Sequence, residues 1–357
     1  MVTSMKVRDT TQDVVKGITI ILVVYGHMVR GLSDAGLNNH VLSVIDLVMF
    51  SFRMPLFFVL AGYNARGALE RRSAAAYVRS RWEALIYPYI VWSVLLWTFK
   101  LLAQTAQGAS VNHPVHLVDL LSIGWKPISP NWFSYALLLM QLILVAGWRK
   151  PGVLIASALA GQVAAELWGA DLREILDLTL LHAPFFMLGV WLAHYLPLPA
   201  VYAWLKRRWV FLGLLAVVAA GFWLAAQWPG FKPIGLLMMP LSLAGIGTLT
   251  AFALHVPEGR GRQVLAYLGQ RSLSIFLAHV IFTAMIRTLM LKLGCGMPLL
   301  VVVGTVVGIG APVVMYEAAV RLRLAGWLGI ARIHSRPAGA KAPALTRDRA
   351  AEPVASG

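Results

Sequence analysis

Charge and sulfur are what this sequence has least of. Only 13% of its 357 residues are charged, against 59% hydrophobic, where a soluble domain carries about 25% charge. That balance excludes a soluble enzyme and a disordered chain. One cysteine, Cys295, cannot form an intrachain disulfide, which excludes a disulfide-stapled secreted scaffold. Familiar chemical signatures are missing as well. There is no Gly-x-x-x-x-Gly-Lys phosphate loop, no Gly-x-Ser-x-Gly elbow and no paired Cys/His metal spacing, and no His is followed five positions later by Asp.

What the sequence does have is long apolar runs. Bounded by Pro, Gly and charge clusters, they predict about ten membrane spans of roughly 20 residues each. The spans fall near 14–32, 41–64, 84–104, 131–148, 152–168, 176–195, 209–228, 233–255, 268–290 and 298–320. Helices are expected, because a span in lipid must pair its own backbone groups, and the alternation of barrel strands is absent. The fold class is therefore all-α and polytopic. The first apolar run reads as a retained span, since no small-residue cleavage site follows it.

The net charge of +16 would point to nucleic acid in a soluble protein. Here its distribution explains it without a nucleic-acid partner. With the N-terminus in the cytoplasm, 22 of the 31 Lys and Arg lie on that side and only 6 on the other. The positive-inside rule then predicts both termini cytoplasmic. The expected organisation is a short N-terminal segment (1–13), one membrane domain (14–323) and a basic, largely disordered tail (324–357).

Ionisable groups inside spans mark a function or a packing need. In the first span Lys16 and His27 are eleven residues apart. That is three turns plus ~20°, so both lie on one helix face about 16 Å apart. Asp13 precedes Lys16 by three and suits both an ion pair and the helix N-terminus. His27 is either a functional group or a hydrogen-bonded interhelical residue. In the second span Arg53 falls near mid-membrane, two residues before Pro55. It either faces a polar cavity or pairs with Asp46 or a carbonyl. Elsewhere, Arg79 and Arg81 lie at the inner end of the third span, and Trp132 opens the fourth at the outer face as an interfacial anchor. Ser272 and His279, seven apart, share a helix face, and His182 stands alone near the start of the sixth span. Gly304-x-x-x-Gly308 is a helix-packing pattern, and no metal site is expected.

Taken in order, Lys16–x10–His27, Phe52-Arg53-Met-Pro-Leu-Phe-Phe-Val-Leu-Ala-Gly62, Arg81 with Pro88-Tyr89, Trp132-Phe133 and Ser272 to His279 resemble the acyltransferase-3 family of integral membrane O-acyltransferases. The second-span motif departs by Ala61 where the family usually has Ser, and Ala136 and Leu137 occupy the region where one subgroup carries Glu. The resemblance implies a cytoplasmic acyl-CoA donor, acetyl-CoA above all, and a hydroxyl of a surface glycan, exopolysaccharide or lipid-linked oligosaccharide as acceptor, with no bound cofactor. It implies His27 as general base or transient acyl carrier and Arg53 as oxyanion stabiliser. Lys16, Arg79 and Arg81 become donor-binding cations, with Trp132, His279, Ser272 and Asp13 on the acceptor side or in support. The competing expectation is a proton-coupled transporter or flippase using the same buried His and Arg as a relay.

Overall fold

The computed structural model describes residues 9–107, 115–128, 130–167, 174–228 and 230–330. The elements, in chain order, are helices α1 (Thr10–Asp34), α2 (His40–Glu70), α3 (Ala74–Arg81), α4 (Tyr87–Gln107), α5 (Leu117–Leu121), α6 (Trp132–Gly147), α7 (Pro151–Leu167), α8 (Glu174–Tyr195), α9 (Leu198–Leu205), α10 (Arg208–Gln227), α11 (Met239–His255), α12 (Arg260–Gln270), α13 (Ser272–Lys292) and α14 (Met297–Arg321). A π turn, Trp82–Ile86, joins α3 to α4. Seven helical stretches are long and apolar enough to cross a membrane, and α6, α7 and α11 are shorter apolar helices. The protein is an all-α polytopic membrane protein, and each of the ten expected spans overlaps one of these helices.

Side chains at the two ends of the bundle fix its topology. At one end the start of α1 meets α9, α12 and α2. Tyr202 donates to Asp9 (2.7 Å), Arg262 to Thr11 (3.2 Å) and Asn64 to Gln12 (3.0 Å). Arg271 reaches Glu317 near the end of α14 at the same end (2.7 Å). The start of α1 and the end of α14 therefore lie at the same end of the bundle, the end expected inside. Residues 1–8 and 331–357, which hold most of the expected terminal segments, lie outside the described residues. The start of the expected tail is folded: after α14 the chain turns back, and Trp327 and Leu328 accept hydrogen bonds from Tyr87 and Trp92 on α4.

Close helix contacts occur where side chains are missing. A Cβ at Gly62 of α2 would stand 2.0 Å from the Phe186 carbonyl oxygen, and one at Gly189 of α8 would stand 2.1 Å from that of Val59. Small residues let helix backbones approach in lipid, where dispersion rather than water drives association. Gly304 and Gly308 of α14 likewise receive Met28 and Val24 of α1.

Three boundaries differ from the expected spans. Residues 233–238 are turns, because Gly235 has φ +152° and Pro240 sits in the first turn of α11. The ninth span starts at Ser272, since 260–270 form the separate amphipathic helix α12. The third difference is the largest. The connection between the third and fourth expected spans falls on the outer side, yet its described part, 115–128, runs beside α4. Gln104 accepts from the Val115 N–H, Trp97 donates to the His116 carbonyl, Tyr89 to that of Ile123 and Tyr135 to that of Gly124. Asn131 donates to Ser93 (3.1 Å). Ser93 is fourteen residues from the outer end of α4, so α6 begins ~20 Å below that end at 1.5 Å per residue. The fourth crossing is thus discontinuous, with α5 and a short 3₁₀ turn, Ser122–Gly124, in its outer half. Irregular backbone at this depth requires partners, and these side chains supply them. Leu117, Val118 and Leu121 are exposed, as lipid contact demands and a watery loop would not.

Candidate functional site

Where the discontinuous crossing re-enters helix, it closes one wall of a cavity of about 160 Å³. α1 contributes Val23, His27 and Arg30, which at i, i+4 and i+7 share one face. α2 adds Phe50, Arg53 and Met54, α8 adds Leu178 and α13 adds Phe276, with Pro130 and Trp132 from the start of α6.

Arg53 is buried, with 1% of its side chain exposed, and its Nη1 lies 2.5 Å from Asp46 Oδ1. Nη1 also donates to the Leu22 carbonyl (3.3 Å), whereas Nη2 is buried without a hydrogen-bond partner. Arg30 approaches the other oxygen of the same carboxylate through Nε (3.3 Å). One aspartate thus bridges two arginines, and both guanidiniums lie over the Phe50 ring at 5.0 and 5.1 Å. Gly26 makes room for this. A Cβ there would meet Arg53 Nη1 and Asp46 Oδ1, each at 2.2 Å. The pair therefore rests against the α1 backbone immediately beside His27.

His27 meets His279 edge to face, with ring centroids 4.8 Å apart. His279 Nδ1 is 2.7 Å from the Phe276 carbonyl oxygen. A carbonyl only accepts, so in the neutral ring Nδ1 carries the proton and Nε2 is left as an acceptor. That Nε2 is buried and has no partner. His182 repeats the pattern: Nδ1 lies 2.7 Å from the Leu178 carbonyl oxygen and Nε2 is buried without a partner. Its ring stands 5.1 Å from Trp132 and 5.1 Å from Phe58. Trp132 is thus an internal wall residue, not the interfacial anchor expected of it, because α6 starts at mid-depth.

Of the expected site residues, His27, Arg53, His279 and Trp132 come together here. Lys16 and Asp13 sit at the inner end as an ion pair (3.8 Å). Arg79 is largely exposed, pairing with Glu83 at 3.3 Å, and Arg81 lies over the Tyr77 ring (5.2 Å). Ser272 opens α13 at the inner end, ~10 Å below His279 at 1.5 Å per residue. On the Lys16–His27 face, Ile20 belongs to one apolar cluster with Met54 and Phe276, which also line the cavity, and Phe57 and Phe133 pack against it. Among the described residues, no group of His, Cys, Asp and Glu is placed to hold a metal. Two site residues escaped sequence reasoning. Arg30 was counted only as one of the six outer-side cations, although it lies three residues from His27, and His182 carried no signal beyond its depth.

Residues 12–317 match the acyltransferase domain of the acyltransferase-3 family. The chain belongs to the acyltransferase-3 family. Nodulation protein NolL of Mesorhizobium japonicum is 30% identical over 216 residues, covering 59% of this chain and 55% of that protein. Nodulation protein NolL of Sinorhizobium fredii is 32% identical over 186 residues, covering 51% and 48%. The chain spans about half the length of these curated relatives. No solved structure matches it.

Proposed function

We propose that this protein is an O-acyltransferase of the bacterial inner membrane, with both termini cytoplasmic, that moves an acetyl group from acetyl-CoA to a hydroxyl of a surface or exopolysaccharide sugar. Its membership of the acyltransferase-3 family supports acyl transfer as the chemistry. The observation that carries the assignment of the site is His27 on the cavity wall, backed by His279 and next to the Arg53–Asp46 clamp.

In this reading His27 takes the proton of the acceptor hydroxyl as its oxygen attacks the thioester carbonyl carbon, a task suited to neutral imidazole. The C–S bond then breaks, the proton passes to the leaving sulfur, and free CoA and the O-acetyl ester result. The fixed cation of Arg53 stabilises negative charge on the carbonyl oxygen in a poorly solvated site. His279 backs the His27 ring, and Trp132 offers an apolar face for the acceptor sugar. Lys16, Arg79 and Arg81 attract the phosphates of CoA at the inner end. No resident cofactor takes part. The acetyl arm must pass the apolar packing around Ile20 and Phe276 to reach His27, so donor binding separates these side chains.

The test is transfer of label from acetyl-CoA into base-labile esters of glycan and lipid-linked fractions, using inverted vesicles and a protonophore. Transfer that depends on the protein and survives collapse of the proton gradient is expected. Well-inserted protein that transfers no label, with the native glycan pool present, would point instead to a transporter.

A further inference from the structure

The charges around the cavity do not balance. Asp46 is the one carboxylate that Arg53 and Arg30 share. The Arg53–Asp46 pair, at 2.5 Å and buried, is internally neutral, which leaves Arg30 with a positive charge and no acid of its own. A cation without an acid of its own is met by water or by a counter-ion.

Arg30 is also held in a particular way. Its Nε donates to the Gly26 carbonyl (3.3 Å) and faces Asp46 (3.3 Å), and its plane lies over Phe50. The terminal Nη1 and Nη2 have no hydrogen-bond partner among the described residues. The side chain is 42% exposed and lines the cavity, one turn outward of His27. A guanidinium fixed at Nε with both Nη atoms open is a pre-oriented fork for a planar oxyanion, and such bidentate bonds are among the stronger ones available to a protein. The cavity offers its occupant a cation at the outer side and an aromatic wall at Trp132.

We propose that Arg30 anchors an anionic group of the acceptor, so that the substrate is an acidic glycan whose carboxylate or phosphate lies about one helix turn from the hydroxyl that is acylated. The word acceptor rests on the acyltransferase reading, whereas the binding event does not, so the two are tested separately.

The protein reconstituted in nanodiscs is titrated with methyl glucuronide, methyl glucoside and inorganic phosphate, followed by saturation-transfer NMR. Glucuronide is expected to bind at least about tenfold more tightly than glucoside, since a hydrogen-bonded charge pair is worth that much or more. Arg30→Gln is expected to erase the difference and Arg30→Lys to restore part of it. Lys292→Gln removes an exposed outer charge far from the cavity and is expected to leave the preference intact. A thermal melt of each variant separates loss of the fork from loss of fold. Equal binding of the two glycosides, or an unchanged preference in a folded Arg30→Gln protein, would overturn the proposal. Phosphate that binds as tightly as glucuronide would also overturn it, because the site would then hold a free anion and not a sugar.

Discussion

The inner end of the bundle and the mid-membrane cavity both use arginine, and they use it differently. At the inner end Arg262 directs Nη1 to the Ala253 and Val256 carbonyls, Nη2 to Thr11 and Nε to Glu258. Arg271 donates from Nε and Nη2 to Glu317 and stacks on Tyr267, whose hydroxyl binds the same carboxylate. These side chains are absorbed by the fold: Arg262 caps the end of α11 and ties it to α1. At the cavity, Arg53 Nη2 lacks a partner, as does His279 Nε2 behind His27, and one aspartate serves two guanidiniums. Buried polar atoms are nearly always paired, so the orphaned Nη2 of a cavity-lining arginine points to a ligand. Arg262 and Arg271 are held by the fold, whereas Arg53 keeps an open Nη2 beside the cavity; Arg66 Nη1, near the inner end of α2, is the other arginine atom buried without a partner among the described residues.

The contrast is broken most forcefully at Asp46. Asp46→Ala leaves Arg53 buried and uncompensated, a loss of about 3–5 kcal/mol for a buried pair, and a large fall in the thermal midpoint in detergent is expected. Glu317→Ala, at the half-exposed inner pair, is expected to move that midpoint far less. If both variants melt alike, the two regions do not differ as described.

Gly26→Ala is the next largest effect. The added methyl group would collide with the Arg53–Asp46 pair. Overpacking of this kind costs about 1–3 kcal/mol, and transfer to glycan is expected to fall at least tenfold in protein that still inserts. Unchanged transfer would mean that the position of the pair does not matter.

Trp132→Leu removes the aromatic wall next to His182. A ring contact is worth about 0.5–1.5 kcal/mol beyond its area, so KM for the acceptor is expected to rise a few-fold with KM for acetyl-CoA unchanged. An effect on the donor alone would assign Trp132 to the other substrate. Arg79→Gln, at an exposed ion pair, gives the smallest effect. A slight rise in donor KM, suppressed by salt, is expected, with no change in the thermal midpoint.

The helices were legible because apolar runs in lipid leave the backbone little choice. The Lys16–His27 spacing placed His27 on the face that lines the cavity, and Arg53 was visible as a charge too deep to reach water. The discontinuous fourth crossing was not legible. The segment before Trp132 fell between two expected spans, and side chains distant in sequence, Trp97, Gln104, Tyr89 and Tyr135, are what satisfy its backbone at depth. Trp132 was misplaced for the same reason. Arg30 escaped because a lone cation near the outer end of a span is ordinary in sequence, and its partner Asp46 lies on another helix.

Whether His27 performs the proton transfer is decided by single-turnover acetyl transfer. Wild-type and His27→Ala proteins, at equal insertion and with the same thermal midpoint, are mixed with labelled acetyl-CoA and glycan acceptor. A general base contributes about 10²–10⁴-fold, so the variant is expected to lose at least a hundredfold in rate. A His27→Ala protein that transfers within about twofold of wild type would contradict the account.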